Sequence, residues 1–270
     1  DYGSARLDRL SAALEAAQPP LVEDVAIFDI ALSSGMLRYL RHLHTGRVDP
    51  RLIGFKLTVP AEQHDFVMLL RSALADGRIA ESAAELTPQL VQYRALRAML
   101  ARYRSLAADT NLESLPPPAG TVRPGEPYAS IHALHRRLIA FGDLSSDTPE
   151  PGEGAAYQGP LVEGVKRFQI RHGLEGDGVL GKATQAALHV PLTWRVRQIE
   201  LALERLRWLP DLGNDRFIVL NIPMFTLWAW DAIPPSGAAS FGVRAIVGRA
   251  LSTQTPVFVE EMRHVIFRPY

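Results

Sequence analysis

The stretch Leu161–Leu188, LVEGVKRFQIRHGLEGDGVLGKATQAAL, decides how this chain is read. An amphipathic helix carries Val165, Phe168 and Gln169. It is expected to end at His172-Gly173, because glycine takes the left-handed conformation that closes a helix at no Cβ penalty. Asp177-Gly178 supplies a tight turn, in which the Asp side chain bonds to backbone ahead of it and Gly accepts positive φ. Gly181 then opens a second helix, predicted to bury Ala183, Ala187 and Leu188.

Two other readings of the same glycines fail on chemistry. Gly176, Gly178 and Gly181 spell G-x-G-x-x-G, but a dinucleotide fingerprint needs a strand before it and a βαβ unit around it. A polar helix precedes this one. Gly176 to Lys182 half-spells a phosphate loop, yet Ala183 stands where a magnesium-binding Ser or Thr is required. The glycines therefore serve turns.

Outward from this stretch, a length of 270 residues allows two or three domains. Twenty-nine basic and 29 acidic residues cancel, so no positive field points to nucleic acid as partner. No window has the length and apolarity of a membrane span. The start, Asp1-Tyr2-Gly3, has no signal-peptide character, so any export leader is expected to lie outside these residues. The sequence contains no cysteine, which excludes disulfides and thiol chemistry within it.

Residues 1 to about 112 read as helices. Leu7, Leu10 and Leu14 recur at steps of three and four. A second apolar face runs through Val25, Phe28, Leu32, Leu37, Leu40 and Leu43 to Gly46, with Gly35 as an expected break between two shorter helices. Gly46 to Pro50 is a polar turn. A third helix carries Phe66, Leu69, Leu70 and Leu74 and ends at Asp76-Gly77. Thr87-Pro88 reads as an N-cap followed by Pro at the first helical position, starting a helix with Leu90, Tyr93, Leu96, Leu100, Tyr103 and Ala107. Residues 113–127, with Pro116 to Pro118, Gly120, Pro124, Gly125 and Pro127, form a stiff extended connection and a domain boundary. Ile131, Leu134 and Leu138 begin the next domain, and residues 145–160 are a surface loop inside it. From Pro191 a long helix presents Leu192, Val196, Ile199, Leu203 and Leu206 as one stripe and ends at Pro210. Glu204 and Arg207 are three apart and can pair, a contribution of about 0.2–0.5 kcal/mol.

At Arg216 the pattern turns to strands: Phe217–Leu220, Met224–Trp230, Val243–Val247, Val257–Val259 and Val265–Phe267. Pro223 between the first two implies a bulge or an edge. Such a set of strands stopping at Tyr270 would leave an unpaired edge, so the natural protein is expected to continue.

The order of signals in 161–188 closely resembles the small three-helix peptidoglycan-binding module of bacterial wall enzymes. The likeness widens with Leu40–Pro50 (LRHLHTGRVDP), Tyr93–Leu106 (YRALRAMLARYRSL), Arg197–Pro210 (RQIELALERLRWLP), Ile218–Pro223 (IVLNIP), Ile246–Gly248, Gln254–Val257 and Phe267–Tyr270, in that order. Together these resemble the large periplasmic L,D-transpeptidases of Gram-negative bacteria. The resemblance implies a multidomain α+β protein: a helical scaffold domain over 1–126, a peptidoglycan-binding module over 127–190, a linking scaffold helix over 191–213, and the N-terminal part of a β-rich catalytic domain over 214–270. It implies an acyltransferase that forms 3-3 crosslinks through a cysteine thioester, without cofactor, in the periplasm, with roles in wall biosynthesis and cell shape. Its partners would be stem peptides and glycan, with other cell-wall enzymes beside them. The family's nucleophile is a cysteine in a Ser-His-Gly-Cys motif, absent here, so no residue of this chain receives a catalytic role and the chain alone is expected to be inactive. The other reading is a non-catalytic envelope scaffold that binds peptidoglycan. A hydrolase cutting the same stems is a third.

Candidate binding residues of the module are Asp177, Gly178, Lys182 and Thr184, flanking a groove beside the turn. His42/His44 and His132/His135 are spaced like metal ligands, but zinc needs three or four converging groups and no third partner stands nearby, so no metal is assigned. His172 is expected to cap helix carbonyls. Glu260-Glu261 reads as a solvated turn before Arg263, since adjacent strand residues face opposite sides. Trp228 and Trp230 alternate and share one face of a strand, and with Trp208 they are expected to fill a core between the sheet and the 192–209 helix.

Overall fold

In the computed structural model, residues 2–17, 19–55, 57, 64–109, 112, 115–116, 120–209, 216–232, 238–249 and 251–264 are described. The chain divides into two compact units, Asp1–Ala95 with Leu201–Tyr270, and Leu96–Glu200. No helix among the described residues is long and apolar enough to cross a membrane.

In the first unit, helix α1 (Ser4–Ala16) lies along α2 (Val22–Thr45). Leu7, Leu10 and Leu14 are half-buried, as their spacing requires. The expected break at Gly35 does not occur: α2 runs through it for 24 residues. Gly35 is buried there because a Cβ would lie 3.2 Å from the Tyr2 carbonyl oxygen. The missing side chain thus admits backbone from outside the helix and costs only propensity. The Tyr2 ring meets Tyr39 edge-on at 5.4 Å, and its hydroxyl lies 3.1 Å from His42 Nδ1.

Leu40 of α2 closes a small core with Leu70 and Leu86, joined by Met36, Leu43, Phe66 and Ala83. Helix α3 (Phe66–Ala75) starts at Asp65, whose Oδ1 accepts from the Val67 and Met68 N–H groups, both at 3.0 Å. A short helix α4 (Ile79–Glu85) follows, which the sequence reading did not single out. It lacks a side-chain N-cap, the signal that would have marked it. Thr87 was expected to start the next helix. It finishes α4 instead, its hydroxyl donating to the Ala84 carbonyl at 2.7 Å. Helix α5 (Val91–Ala108) starts three residues after Pro88, with the N–H groups of Tyr93 and Arg94 returning to the Leu90 carbonyl.

In the last turn of α9 (Leu192–Leu206), Glu204 is more than a surface charge. Its Oε1 accepts from the Val48 N–H at 3.0 Å and from the Arg47 N–H, and its Oε2 pairs with Arg207 at 3.1 Å. Arg207 also donates to the Tyr93 hydroxyl at 3.1 Å. The two charged side chains are only 13% and 19% exposed, so the pair is a part-buried clasp on the Gly46 turn. Trp208 is buried against that turn and against Phe55, ring centroids 5.7 Å apart.

Among the described residues three antiparallel strands follow in the order β1 (Phe217–Asn221), β2 (Thr226–Trp230), β3 (Phe241–Arg244). Pro223 makes neither bulge nor edge. It sits in a 3-10 turn, Ile222–Met224, that joins β1 to β2, capped by Asn221 Oδ1 accepting from the Met224 N–H. The third strand lies two residues earlier than its expected position and stops at Arg244. Val257–Val259 contributes only an isolated bridge residue, Phe258, and Val265–Phe267 lies outside the described residues, as does Pro210. Trp228 and Trp230 do share a face, with Phe217 stacked on Trp230 at 4.7 Å. The opposite face is wholly apolar: Ile218, Leu220, Leu227, Ala229, Phe241 and Val243 meet there through the strand register.

In the second unit, α6 (Ile131–Phe141), α7 (Pro160–Arg171) and α8 (Lys182–Leu188) enclose one core. Leu134, Leu138, Val165 and Phe168 are fully buried in it. The loop over 145–160 is closed by a Pro127–Ala156 bridge and delivers a fully buried residue, Tyr157.

Candidate functional site

The turn between α7 and α8 is built by one buried amide. Helix α7 ends in a Schellman motif: Gly173 has φ 71°, its N–H bonds the Ile170 carbonyl, and the Leu174 N–H reaches back to the Gln169 carbonyl at 2.9 Å. His172 caps the same end, Nδ1 lying 2.8 Å from the Phe168 carbonyl oxygen, while its ring stacks on Phe168 at 4.0 Å. Burial holds the His172 pKa below its ordinary value.

Gln169 is 1% exposed and faces the returning chain. Its Oε1 accepts from the Gly178 N–H at 2.8 Å. Its Nε2 donates toward Asp177 Oδ1 at 2.8 Å and toward Val179 O and Thr184 Oγ1, both at 3.0 Å. The Thr184 hydroxyl donates onward to Val179 O at 3.1 Å. Tyr157 closes the network, donating to Gly178 O at 2.7 Å, and burial raises its phenol pKa. Gly178 has φ 75°, and a Cβ there would meet Val162 Cγ1 at 2.7 Å. Both facts require glycine.

The four candidate binding residues therefore divide by environment. Gly178 and Thr184 are buried, their polar atoms engaged inside the module. Asp177 and Lys182 are exposed on either side of the turn. Asp177 Oδ1 takes both internal bonds, from the Val179 N–H at 2.8 Å and from Gln169, and these hold its carboxyl below the ordinary range. Its Oδ2 and the Lys182 ammonium have no partner among the described residues. In α8, Ala183 is exposed, contrary to expectation. Thr184, Gln185 and Leu188 form the buried face, and Gln185 donates to the Gly120 and Leu180 carbonyls at 2.6 Å. Gln169, Tyr157 and Gln185 are the residues whose roles the sequence reading missed. An amide directly after Phe168 on a buried helix face was the available signal for the first.

A second polar anchor sits at the same, C-terminal end of α7. Arg171 clamps Asp143 with two bonds, Nε to Oδ1 at 3.1 Å and Nη2 to Oδ2 at 2.6 Å, and Asp143 is 4% exposed. Elsewhere, His132 Nδ1 lies 3.2 Å from Glu150 Oε1 and His135 Nε2 lies 3.0 Å from Thr148 O. His44 packs its ring edge-on against His64. Among the described residues no three His, Cys, Asp or Glu converge as a metal site. Glu261 pairs with Arg263 at 3.0 Å, with both side chains exposed.

Comparison with known proteins gives two family matches. Residues 1–100 match a scaffold domain and residues 128–188 a putative peptidoglycan binding domain. The chain is also similar to the N-acetylmuramoyl-L-alanine amidase CwlL of Bacillus licheniformis, 36% identical over 70 residues, which is 26% of this chain. Those residues span 19% of the length of that relative. The chain thus joins a scaffold-domain match to a match with a putative peptidoglycan binding domain.

Proposed function

We propose that this chain is the scaffold and wall-binding part of a periplasmic L,D-transpeptidase of a Gram-negative bacterium. The observation that carries the reading is the order of parts: a scaffold-domain match, a peptidoglycan-binding match, then an antiparallel sheet that opens with IVLNIP at 218–223. On this reading the parts are 1–126, 127–190, the linking helix over 191–213, and the front of the catalytic domain over 214–270. A cysteine thiolate attacks the stem amide, a thioester forms as D-alanine leaves, and an acceptor amine resolves it into a 3-3 crosslink. With no cysteine, these 270 residues supply no such nucleophile. Their work is to hold the polymer. Asp177 and Lys182 offer the ligand a carboxylate and an ammonium, while Gly178 and Thr184 shape the turn between them.

Two measurements test this. The chain should co-sediment with purified sacculi, and Asp177→Asn, which keeps the Oδ1 acceptor, combined with Lys182→Ala should reduce the bound fraction while the module stays folded at neutral pH by amide exchange. Equal sedimentation of the double variant removes those two residues from the site. The gene product carrying whatever follows Tyr270 should convert disaccharide-tetrapeptide into crosslinked dimer by mass spectrometry. Released tripeptide alone would indicate a hydrolase. A folded protein that binds sacculi and yields neither would favour the second reading, a non-catalytic wall-binding scaffold, which the scaffold-domain match also suits.

A further inference from the structure

The first unit carries a cleft of about 280 Å³ between α1 and α2, remote in sequence from the wall-binding module. Toward the start of α2 one end is apolar, walled by Ile27, Ile30 and Ala31, while Leu7 of α1 lines the cleft beside Gly35. Ile27 is 46% and Ile30 65% exposed, a hydrophobic wall left facing water. The other end is polar and positive, with Arg6, Arg38, Ser34 and Tyr2. Among the described residues no carboxylate lines the cleft. Neither guanidinium has an ion-pair or side-chain hydrogen-bond partner among the described residues. Several arginines elsewhere are paired, for example Arg51 with Asp49, Arg104 with Glu200 and Arg171 with Asp143. Two like charges brought to one rim repel each other and gain from an anion placed between them. Ile27 and Arg38 are separated by about 16 Å along the helix axis at 1.5 Å per residue. The cleft therefore has room for a short hydrocarbon chain with its head at the arginines.

We propose that this cleft binds an anionic amphiphile, a single apolar chain ending in a phosphate or carboxylate. The head accepts hydrogen bonds from Arg6 and Arg38, planar donors suited to two-oxygen groups. The chain covers Ile27, Ile30 and Leu7, and its apolar burial supplies the remainder of the affinity.

The test uses the whole chain and octyl phosphate below its micelle concentration, read by amide chemical-shift titration. Saturable one-to-one binding is expected, with shifts centred on α1 and residues 27–38. Arg6→Gln and Arg38→Gln should each weaken it about tenfold, the loss of one charge-assisted contact. Their melting temperatures should not change, because both side chains are exposed. Ala31→Phe, which fills the cleft, should abolish binding with both arginines in place. Octyl glucoside and octylammonium should not compete. Phosphatidylglycerol vesicles form the second arm. Binding to octyl phosphate and to the vesicles assigns a lipid headgroup as source, and binding to octyl phosphate alone assigns a soluble amphiphile. Binding to vesicles only, equal affinity for octyl glucoside, or unchanged affinity in the arginine variants would overturn the proposal.

Discussion

Replacing Gln169 by Leu tests whether one amide sets the α7–α8 turn. The volume is nearly kept, so the change removes hydrogen bonds more than packing. The Gly178 N–H loses its acceptor, at 2.8 Å in the native protein, and stays buried. An orphaned buried donor costs about 1–3 kcal/mol. Val179 O keeps the Thr184 hydroxyl and Asp177 Oδ1 keeps the Val179 N–H, so the lost donors add only about 1 kcal/mol. The expected total is about 2–4 kcal/mol. Because the chain has two compact units, global unfolding is a poor probe, and amide exchange resolves the module by itself. Protection of α7 and α8 amides should fall about 30- to 1,000-fold at 1.4 kcal/mol per decade. Gln169→Glu separates the hydrogen-bond argument from a size effect. It keeps an acceptor for Gly178 but sets a second carboxylate beside Asp177 in a buried site. Its loss should exceed that of Leu at neutral pH and shrink as the pH enters the carboxylate range. A Leu variant within about 0.5 kcal/mol of wild type, the range of ordinary surface changes, would refute the reasoning.

Three further outcomes are expected. Arg171→Ala strands the buried Asp143 carboxylate and should cost about 3–5 kcal/mol, while the double variant with Asp143→Ala should cost less than that single change, as a double-mutant cycle by amide exchange would show. The module should lose stability in two acid steps. His172, held neutral by burial, contributes fully above its unfolded value near 6.5, and that contribution is lost as the pH falls through its lowered folded pKa. Asp177 behaves likewise from about 3.9 downward, so Asp177→Asn should flatten the second step in a pH series of melting curves. Gly46→Ala should destabilise the first unit by about 2 kcal/mol or more. Its backbone (φ 82°, ψ 178°) is a glycine region, and the new Cβ would lie 2.7 Å from Glu204 Oε1 and 2.9 Å from Trp208 Nε1. Equal urea midpoints would show that the turn yields.

What the residues announced and what they concealed follow from range. The closing of α7 at Gly173, the Asp177-Gly178 turn and the Leu203 stripe are local, and spacing alone displays them. Thr87 failed because its hydroxyl can serve either the helix behind or the helix ahead, and only tertiary context chooses. Gly35 failed for the same reason: an isolated glycine in a helical pattern marks a break or a close approach, and the approaching group, Tyr2, lies 33 residues away in sequence. The Glu204 clasp joins residues more than 150 apart, beyond any pattern of neighbours. In the module the charged candidates Asp177 and Lys182 were legible as turn-flanking polar residues. The amide of Gln169 was signalled only as a polar group on a buried helix face, and its role emerges when the fold brings four backbone and side-chain groups around it.

The uninterrupted course of α2 through Gly35 sets local and global order against each other at one carbon atom. Alanine there would make α2 a better helix in isolation, by about 0.8–1 kcal/mol. The same methyl would press on the Tyr2 carbonyl and lift the amino-terminal end of the chain away, taking with it one wall of the arginine-rimmed cleft. A substitution that reads as stabilising by helical content would then loosen the fold and open its ligand site to water.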